Sequence, residues 1–476
     1  MWQGGLLMRD YTQGRFRRQL RFLRRQFLQE GELPFSDVLS EKIVKQALSD
    51  ADVVWNERIY TPLVTLWIFL SQVLSADHSC RAAVARLISH RMAHGLRPCS
   101  PETGAYCQAR KRLPEKFFAI VCRMVGQALD AKVDSKWLWK GRRVYMFDGT
   151  VVRMPDTSAN LKEYTKTYNQ KPGLGFPIAR LGVITSLSCG AILNVGFRRY
   201  SGKGQSELSL LRQLWNLFSP GDVLLADRLM CSWREMTMLK QRGVDTVTRL
   251  CRRQADFRRG KRLGKGDHIV RWYKPKQHRT TDKEAYNALP EFLLVRETLV
   301  RIEQAGFRTK TMIVVTTILD TEHTTKDDLA DLYRARWNNE LDFRSLKTTM
   351  QMDNLRCKTP ELVRKEVWTH ILAYNLIRTI IAQAASKHDR EPRSISFKGT
   401  VQTLEAFQPV ISILGDRSKG IRTVLYQQLL DAIAIHQVAD RPNRFEPRLR
   451  KNRPKHYAFL RKARDVIKRE MAMGKT

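Results

Sequence analysis

The sequence predicts an α/β fold in which a mixed sheet is covered by helices, with further helical regions before and after it. Three observations predict it. Residues 36–130 carry helical periodicity. Near residue 137 the texture changes to runs rich in β-branched and aromatic residues, which first follow one another and then alternate with helical runs up to residue 250. Helical periodicity returns from Lys326 to about Gln437.

The elements justify themselves in order. Residues 9–30, RDYTQGRFRRQLRFLRRQFLQE, interleave Arg with Phe and Leu at helical spacing, a basic amphipathic helix suited to phosphates or to a partner. This start is Arg-rich and lacks the apolar stretch of a secretory signal; Met8 is a second candidate start beside Met1. The run TPLVTLWIFLSQVL, within Tyr60–Leu74, is interrupted by Thr, Ser and Gln and is shorter than the ~20 residues of a membrane helix, so it reads as a buried core helix. Ser100 before Pro101 signals a helix start. Arg110, Lys111 and Arg112 then lie between two helical patterns, as a small DNA-binding bundle or a plain bundle with a basic loop would have them.

VYMFDGTVVRMPD and ARLGVITSLSCGAILNVGFRRY read as strands, with Cys189-Gly190 as a hairpin turn. GQSELSLLRQLWNLF is helical, DVLLAD is a short buried strand, SWREMTMLKQRG is helical and VDTVTRL is another strand. Residues 251–330 differ: the basic stretch CRRQADFRRGKRLGKGDHIVRWYKPK is followed by the strand-like FLLVRETLVRIEQ and TKTMIVVTTIL, a β-rich insertion within the same unit. The tail is basic and Pro-broken, an extended arm followed by a short helix.

Lys and Arg number 84 against 47 Asp and Glu, a net charge of +37. Such an excess repels itself in a compact fold unless a polyanion neutralises it, and nucleic acid is favoured over an anionic membrane because neutralised phosphates release condensed counterions. The eight cysteines form no Cys-x-x-Cys pair, which argues against a zinc ribbon or redox motif and reads as free thiols in a reducing cytoplasm. His90 and His94 share a helix face without a third ligand, an ordinary surface pair before a metal site.

The strongest signal is DLYRARWNNELDFRSLKTTM, residues 331–350. At ~100° per residue, Tyr333, Arg336, Glu340, Arg344 and Lys347 fall within about 80° of one another. Leu332, Ala335, Phe343, Leu346 and Met350 fall on the opposite side. One face packs on a core; the other carries one carboxylate among a phenol and three cations. A solvated face would look the same, since Glu with Arg at i,i+4 is common on helices. Two upstream aspartates change the weighing. Asp148 follows Val144-Tyr145-Met146-Phe147 and Asp227 follows Val223-Leu224-Leu225-Ala226. A carboxylate at the end of a buried strand is costly unless paired or bound to a cation, although Asp148-Gly149 alone could be a turn. With Glu340 they supply three hard oxygen ligands, suited to Mg²⁺ or Mn²⁺ rather than zinc.

FDGT around Asp148, ADR around Asp227, and Tyr333-x-x-Arg336-x-x-x-Glu340-x-x-x-x-x-x-Lys347 resemble the DDE transposases of bacterial insertion sequences, in particular the insertion-sequence-four family. The resemblance spans about residues 140–385 and includes NLRCKTPELVRKEVWTHILAYNLIR. It implies a ribonuclease-H-like catalytic core. The segments are then 1–136, a helical basic DNA-binding region; 137–250, the first part of the core; 251–325, the β-rich insertion; 326–385, the second part with the signature helix; and 386–476, a helical region with a basic tail.

The resemblance further implies cut-and-paste transposition on double-stranded DNA, with terminal inverted repeats and target DNA as substrates, by a homodimer acting at the nucleoid. Asp148, Asp227 and Glu340 would be catalytic and hold two Mg²⁺ ions, with Mn²⁺ an alternative. Tyr333, Arg336 and Lys347 would contact phosphate; Arg344 shares their face outside the signature. Relatives make a hairpin intermediate and stack a flipped base on a Trp of the insertion, for which Trp272 is the candidate beside its reading as a plain strand residue. Arg249 and the Arg/Lys run 252–265 are candidates for backbone contacts. A nuclease on the same scaffold and a catalytically silent, transposase-derived DNA-binding protein are the competing readings.

Overall fold

The computed structural model describes residues 4–30, 33–167, 174–251, 255–276, 283–301, 311–415, 418–438 and 460–474. The chain begins with six helices, α1 (Gly4–Arg25), α2 (Glu41–Asp50), α3 (Pro62–Leu74), α4 (Cys80–Ala93), α5 (Gly104–Arg112) and α6 (Glu115–Ala131). β1 (Val144–Arg153), α7 (Ser158–Glu163), β2 (Ile178–Ser186), β3 (Ile192–Arg199), α8 (Glu207–Leu214), β4 (Val223–Ala226), α9 (Trp233–Gln241) and β5 (Asp245–Arg249) follow. Next come β6 (Lys261–Gly264), β7 (Asp267–Tyr273), α10 (Lys283–Asn287), β8 (Phe292–Arg301) and β9 (Thr311–Thr316). The remaining helices are α11 (Lys326–Ala335), α12 (Trp337–Arg344), α13 (Pro360–Lys387), α14 (Phe397–Val410), α15 (Lys419–Ile435) and α16 (Arg464–Ala472).

The nine strands among the described residues join one mixed sheet in the order β3-β2-β1-β4-β5-β9-β8-β7-β6. β1, β4 and β5 run parallel; the other pairings are antiparallel. A parallel centre needs both faces covered, which is why β4 is four consecutive buried apolar residues. The period of two divides these strands cleanly. Tyr145, Phe147, Leu224 and Ala226 join the large core with α6, α8 and α13. Val144, Met146, Val223 and Leu225 join a second core with Leu329, Leu332 and Tyr333 of α11. Gly182 and Gly196 face each other across β2 and β3, and a Cβ at either would come within 2.8 Å of Leu210, so α8 lies close on the sheet there.

Local chemistry sets the helix ends. Thr61 and Ser79 cap α3 and α4 through their side chains, and Thr325 opens α11 in a reciprocal capping box with Asp328. α13 starts at Pro360 and is buried along almost its whole length, packed between α6, α3 and α15. α1 turns Leu20 and Leu23 into the chain's own core and leaves Arg17, Arg18 and Arg21 exposed.

Several sequence expectations shift. α5 starts at Gly104, not at Ser100, whose hydroxyl accepts from Glu102 N in a local turn. Arg110 to Arg112 form the last turn of α5, and Arg110 is buried, its guanidinium over Phe69 and Tyr106 and its Nη2 3.2 Å from Cys80 Sγ. Asp148-Gly149 is not a turn: both lie inside the ten-residue β1. All eight cysteines are free thiols. His90 and His94 pack at tilted and edge-on angles in an aromatic group with Phe22 and Trp67. No described helix is long and apolar enough to cross a membrane. The extended arm expected in the tail lies outside the described residues, as do Arg252 and Arg253.

Candidate active site

Strand register brings the two aspartates level. Val144 pairs Val223 and Met146 pairs Leu225, so continuing the same parallel register sets Asp148 opposite Asp227. By alternation both point to the face that carries α11 and α12. Asp227 ends β4 and turns the chain, its Oδ1 accepting from Leu229 N at 2.7 Å. Asp148 Oδ1 accepts from its neighbour Gly149 N at 2.7 Å.

Residues 326–349 are helical throughout but not one regular helix. Arg336 breaks the pattern between α11 and α12, and Ser345–Thr349 widens into a π-helical turn. Arg336 is the hub. Its Nη1 lies 3.7 Å from Asp148 Oδ2 and its Nη2 3.4 Å from Glu340 Oε1, so one guanidinium spans the strand carboxylate and the helix carboxylate. Its fork also lies 5.9 Å from the ring centre of Tyr333.

Electrostatics tie the group together. Burial pushes the Asp148 carboxyl up to about 6; Gly149 N–H and Arg336 pull against this, and the charges of Asp227 and Glu207 add to it. Burial also raises the Tyr333 phenol, with Arg336 and Arg249 opposing and Asp227 adding, so its hydroxyl stays protonated and can donate. Arg249, at the end of β5, is therefore near enough to act on this site.

The sequence reading missed Glu207. It occupies the first turn of α8, behind the cap Ser206, and its carboxylate lies over Gly149, where an added Cβ would stand 2.5 Å from Glu207 Cδ. Burial raises its carboxyl; Arg180, 3.9 Å away, opposes and Asp227 adds. An acid after a helix cap is so common that its sequence carries no distinct signal.

The other predicted residues are dispersed. Lys347, carried round by the π turn, pairs Asp353 at 3.6 Å and lines an open cleft of about 650 Å³ with Arg356 and His78. Arg344 is exposed. Trp272 is 8% exposed; its indole N–H donates to Glu297 at 2.6 Å, while Tyr273 beside it is 68% exposed. That environment favours strand packing for Trp272.

Among the described residues no three His, Cys, Asp or Glu side chains gather closely enough to hold a metal ion, and Arg336 stands between two of the expected ligands. The donor chemistry nonetheless fits a hard divalent cation. Asp227, the residue after β4, follows a register that leads level with Asp148, its charge acts on the Asp148 carboxyl, and the charge of a half-buried Asp148 is only loosely compensated.

The transposase DDE domain family matches residues 139–376, half of the chain, and this stretch contains Asp148, Asp227, Tyr333, Arg336, Glu340 and Lys347. The chain belongs to the DDE transposases. Over 427 residues it is 26% identical to the transposase InsG for insertion sequence element IS4 of Escherichia coli (strain K12), covering 88% of this chain and 92% of that one. Over 82 residues it is 37% identical to the transposase for insertion sequence element IS421 of Escherichia coli, covering 17% and 21%. The solved piggyBac transposase synaptic complex with hairpin DNA aligns at a TM-score of 0.40 and 9% identity, over 85% of this chain and 86% of that one. As a DDE transposase this chain is an enzyme of DNA cleavage and strand transfer.

Proposed function

We propose that this transposase cuts DNA at the ends of its own element and joins them to target DNA through Asp148, Asp227 and Glu340, on a ribonuclease-H-like core formed by β1 to β5. The register that sets Asp148 level with Asp227, with Glu340 tied to Asp148 through Arg336, carries the reading. Two Mg²⁺ ions, or Mn²⁺, would be held by the three carboxylates and would supply Lewis acidity to the attacking and leaving oxygens of an in-line displacement.

The chain's own groups do the rest. Arg336 offers a planar fork whose contacts to the carboxylates are long, so a phosphate of the scissile strand can take one of them. Tyr333, held protonated by burial, donates to the same strand. Lys347, with Arg356 in the adjoining cleft, binds phosphates further along, and exposed Arg344 adds a weaker contact. Water displaces the 3′-oxygen at the scissile phosphate and leaves a 3′-hydroxyl. That hydroxyl attacks the opposite strand to give a hairpin and, after reopening, a target phosphodiester. A homodimer holding both element ends would pair the two cuts.

The test is a cleavage and joining assay with Mg²⁺, the protein's own flanking terminal sequences and Asp148→Asn alongside. End-specific nicks, hairpins or joined products from the wild type alone support the reading. Binding to those ends without any cut, under Mg²⁺ and Mn²⁺ alike, sinks it in favour of a silent DNA-binding protein.

A further inference from the structure

α12 carries Glu340, and its apolar anchor on the large core is the half-buried Phe343. Its two fully buried side chains are both polar, Asn339 and Asp342. Irregular turns at Arg336 and at Ser345–Thr349 bound it on both sides. Among the described residues the Asn339 side-chain amide has no hydrogen-bond partner.

Asp342 is the opposite. It is 1% exposed, roughly half a turn round the helix from Glu340. Its Oδ1 accepts from Tyr374 Oη at 2.8 Å, Arg378 Nη2 at 2.6 Å and Arg393 Nη1 at 2.7 Å. Oδ2 accepts from Arg393 Nη1 at 2.9 Å. Arg378 Nε in turn donates to Tyr374 Oη at 2.8 Å, and its guanidinium lies over the Tyr374 and Phe397 rings. Arg393 continues outward, donating to the carbonyls of Leu187 and Ser186 at 2.7 Å each. The β2–β3 turn fits against this group: Gly190 has φ +79°, and a Cβ there would stand 2.8 Å from Arg378 Nε. One carboxylate thus fastens α12 to α13, to the segment before α14 and to the hairpin of the sheet that bears Asp148.

We propose that Asp342 is a positioning residue of the transposition reaction, its clamp by Tyr374, Arg378 and Arg393 setting where Glu340 stands against Asp148 and Asp227. The inference rests on the catalytic reading of Glu340. A buried, fully paired carboxylate has a single low-energy arrangement, which makes it a better orienting device than non-directional apolar contact. A misplacement of about 1 Å at a reacting group can cost about 100-fold in rate.

The experiment compares full-length Asp342→Asn, Leu346→Ala and Glu340→Gln with the wild type. Leu346 is buried one turn further along the same helical stretch and controls for plain destabilisation. Thermal melting, affinity for end DNA without divalent metal, and single-turnover cleavage at saturating DNA are read, the last well below every melting temperature. Asp342→Asn is expected to bind ends like the wild type and to lose about 100-fold in single-turnover rate. Leu346→Ala, though less stable, keeps its rate. Rates that follow melting temperature equally in both variants, or an unimpaired Asp342→Asn, overturn the proposal. If Asp342→Asn does not fold, Arg393→Gln at the rim of the cluster is judged by the same criteria. Wild-type cleavage by Glu340→Gln removes the underlying reading; a dead Glu340→Gln beside an unimpaired Asp342→Asn removes this inference alone.

Discussion

Arg336 Nη1 stands 3.7 Å from Asp148 Oδ2, across the gap between the central strand β1 and the break between α11 and α12. The same guanidinium meets Glu340 at 3.4 Å, so it compensates both carboxylates until substrate arrives. Two separated acceptors call for a fork, which Lys lacks. Arg336→Ala is expected to lower single-turnover cleavage by about 100- to 1,000-fold, and Arg336→Lys to recover little of it. A Lys variant cleaving at the wild-type rate would show that charge alone suffices.

Asp148 gives a pH signature. Its folded pKa of about 6 lies above the ordinary value of 3.8, so the folded state holds its proton more tightly. The associated stability is complete below pH 3.8 and is lost as pH rises through 6. Above that, the charged carboxylate costs the metal-free protein on the order of 1–3 kcal/mol. Asp148→Asn should therefore melt higher than the wild type at pH 8 in chelator and show no advantage at pH 4. Mg²⁺ should raise the melting temperature of the wild type and not of the variant. Glu207→Gln removes a charge that raises the Asp148 pKa and should move the crossover to lower pH. A variant whose advantage is the same at both pH values would refute the assignment to Asp148.

Much of this was legible in the sequence because it rests on periodicity. The apolar runs before Asp148 and Asp227 and the helical periodicity from Lys326 are local, and the structure has strands and a helix there. Other features depend on partners far along the chain. Tyr333 lies on the polar side of the wheel yet is buried, because α11 packs over Val144, Met146 and Leu225. Asp342 lies on the inward side, where the wheel expects apolar residues, and only Arg378 and Arg393 make it tolerable there. The π turn after Arg344 also rotates Lys347 away from where a uniform 100° step sets it.

Lys365 shows the same long-range logic. It is fully buried in α13, and its Nζ donates to the carbonyls of Arg110 and Lys111 at 3.1 Å each, the open end of α5, while pairing Glu361 at 2.7 Å. Lys365→Ala leaves those carbonyls unpaired and should cost about 2–4 kcal/mol. Denaturant melts check this, and a loss under about 0.5 kcal/mol, the range of ordinary surface changes, would mean that water replaces the ammonium.

The charge excess makes a prediction independent of the catalytic residues. Arg258, Arg259, Lys261 and Arg262 are exposed around the start of β6, and the first two share a single acid, Asp256, at 3.0 and 3.3 Å. They are thus free to exchange it for phosphates. Each phosphate contact contributes about 0.9 to the slope of log affinity against log salt, so replacing all four by Gln should flatten that slope by up to about 3–4. Affinity should fall alike for end DNA and unrelated DNA, since backbone contacts carry no sequence information. Filter binding across a salt series measures both. An unchanged slope would place these four cations off the DNA path, and a loss confined to end DNA would mean that they read bases.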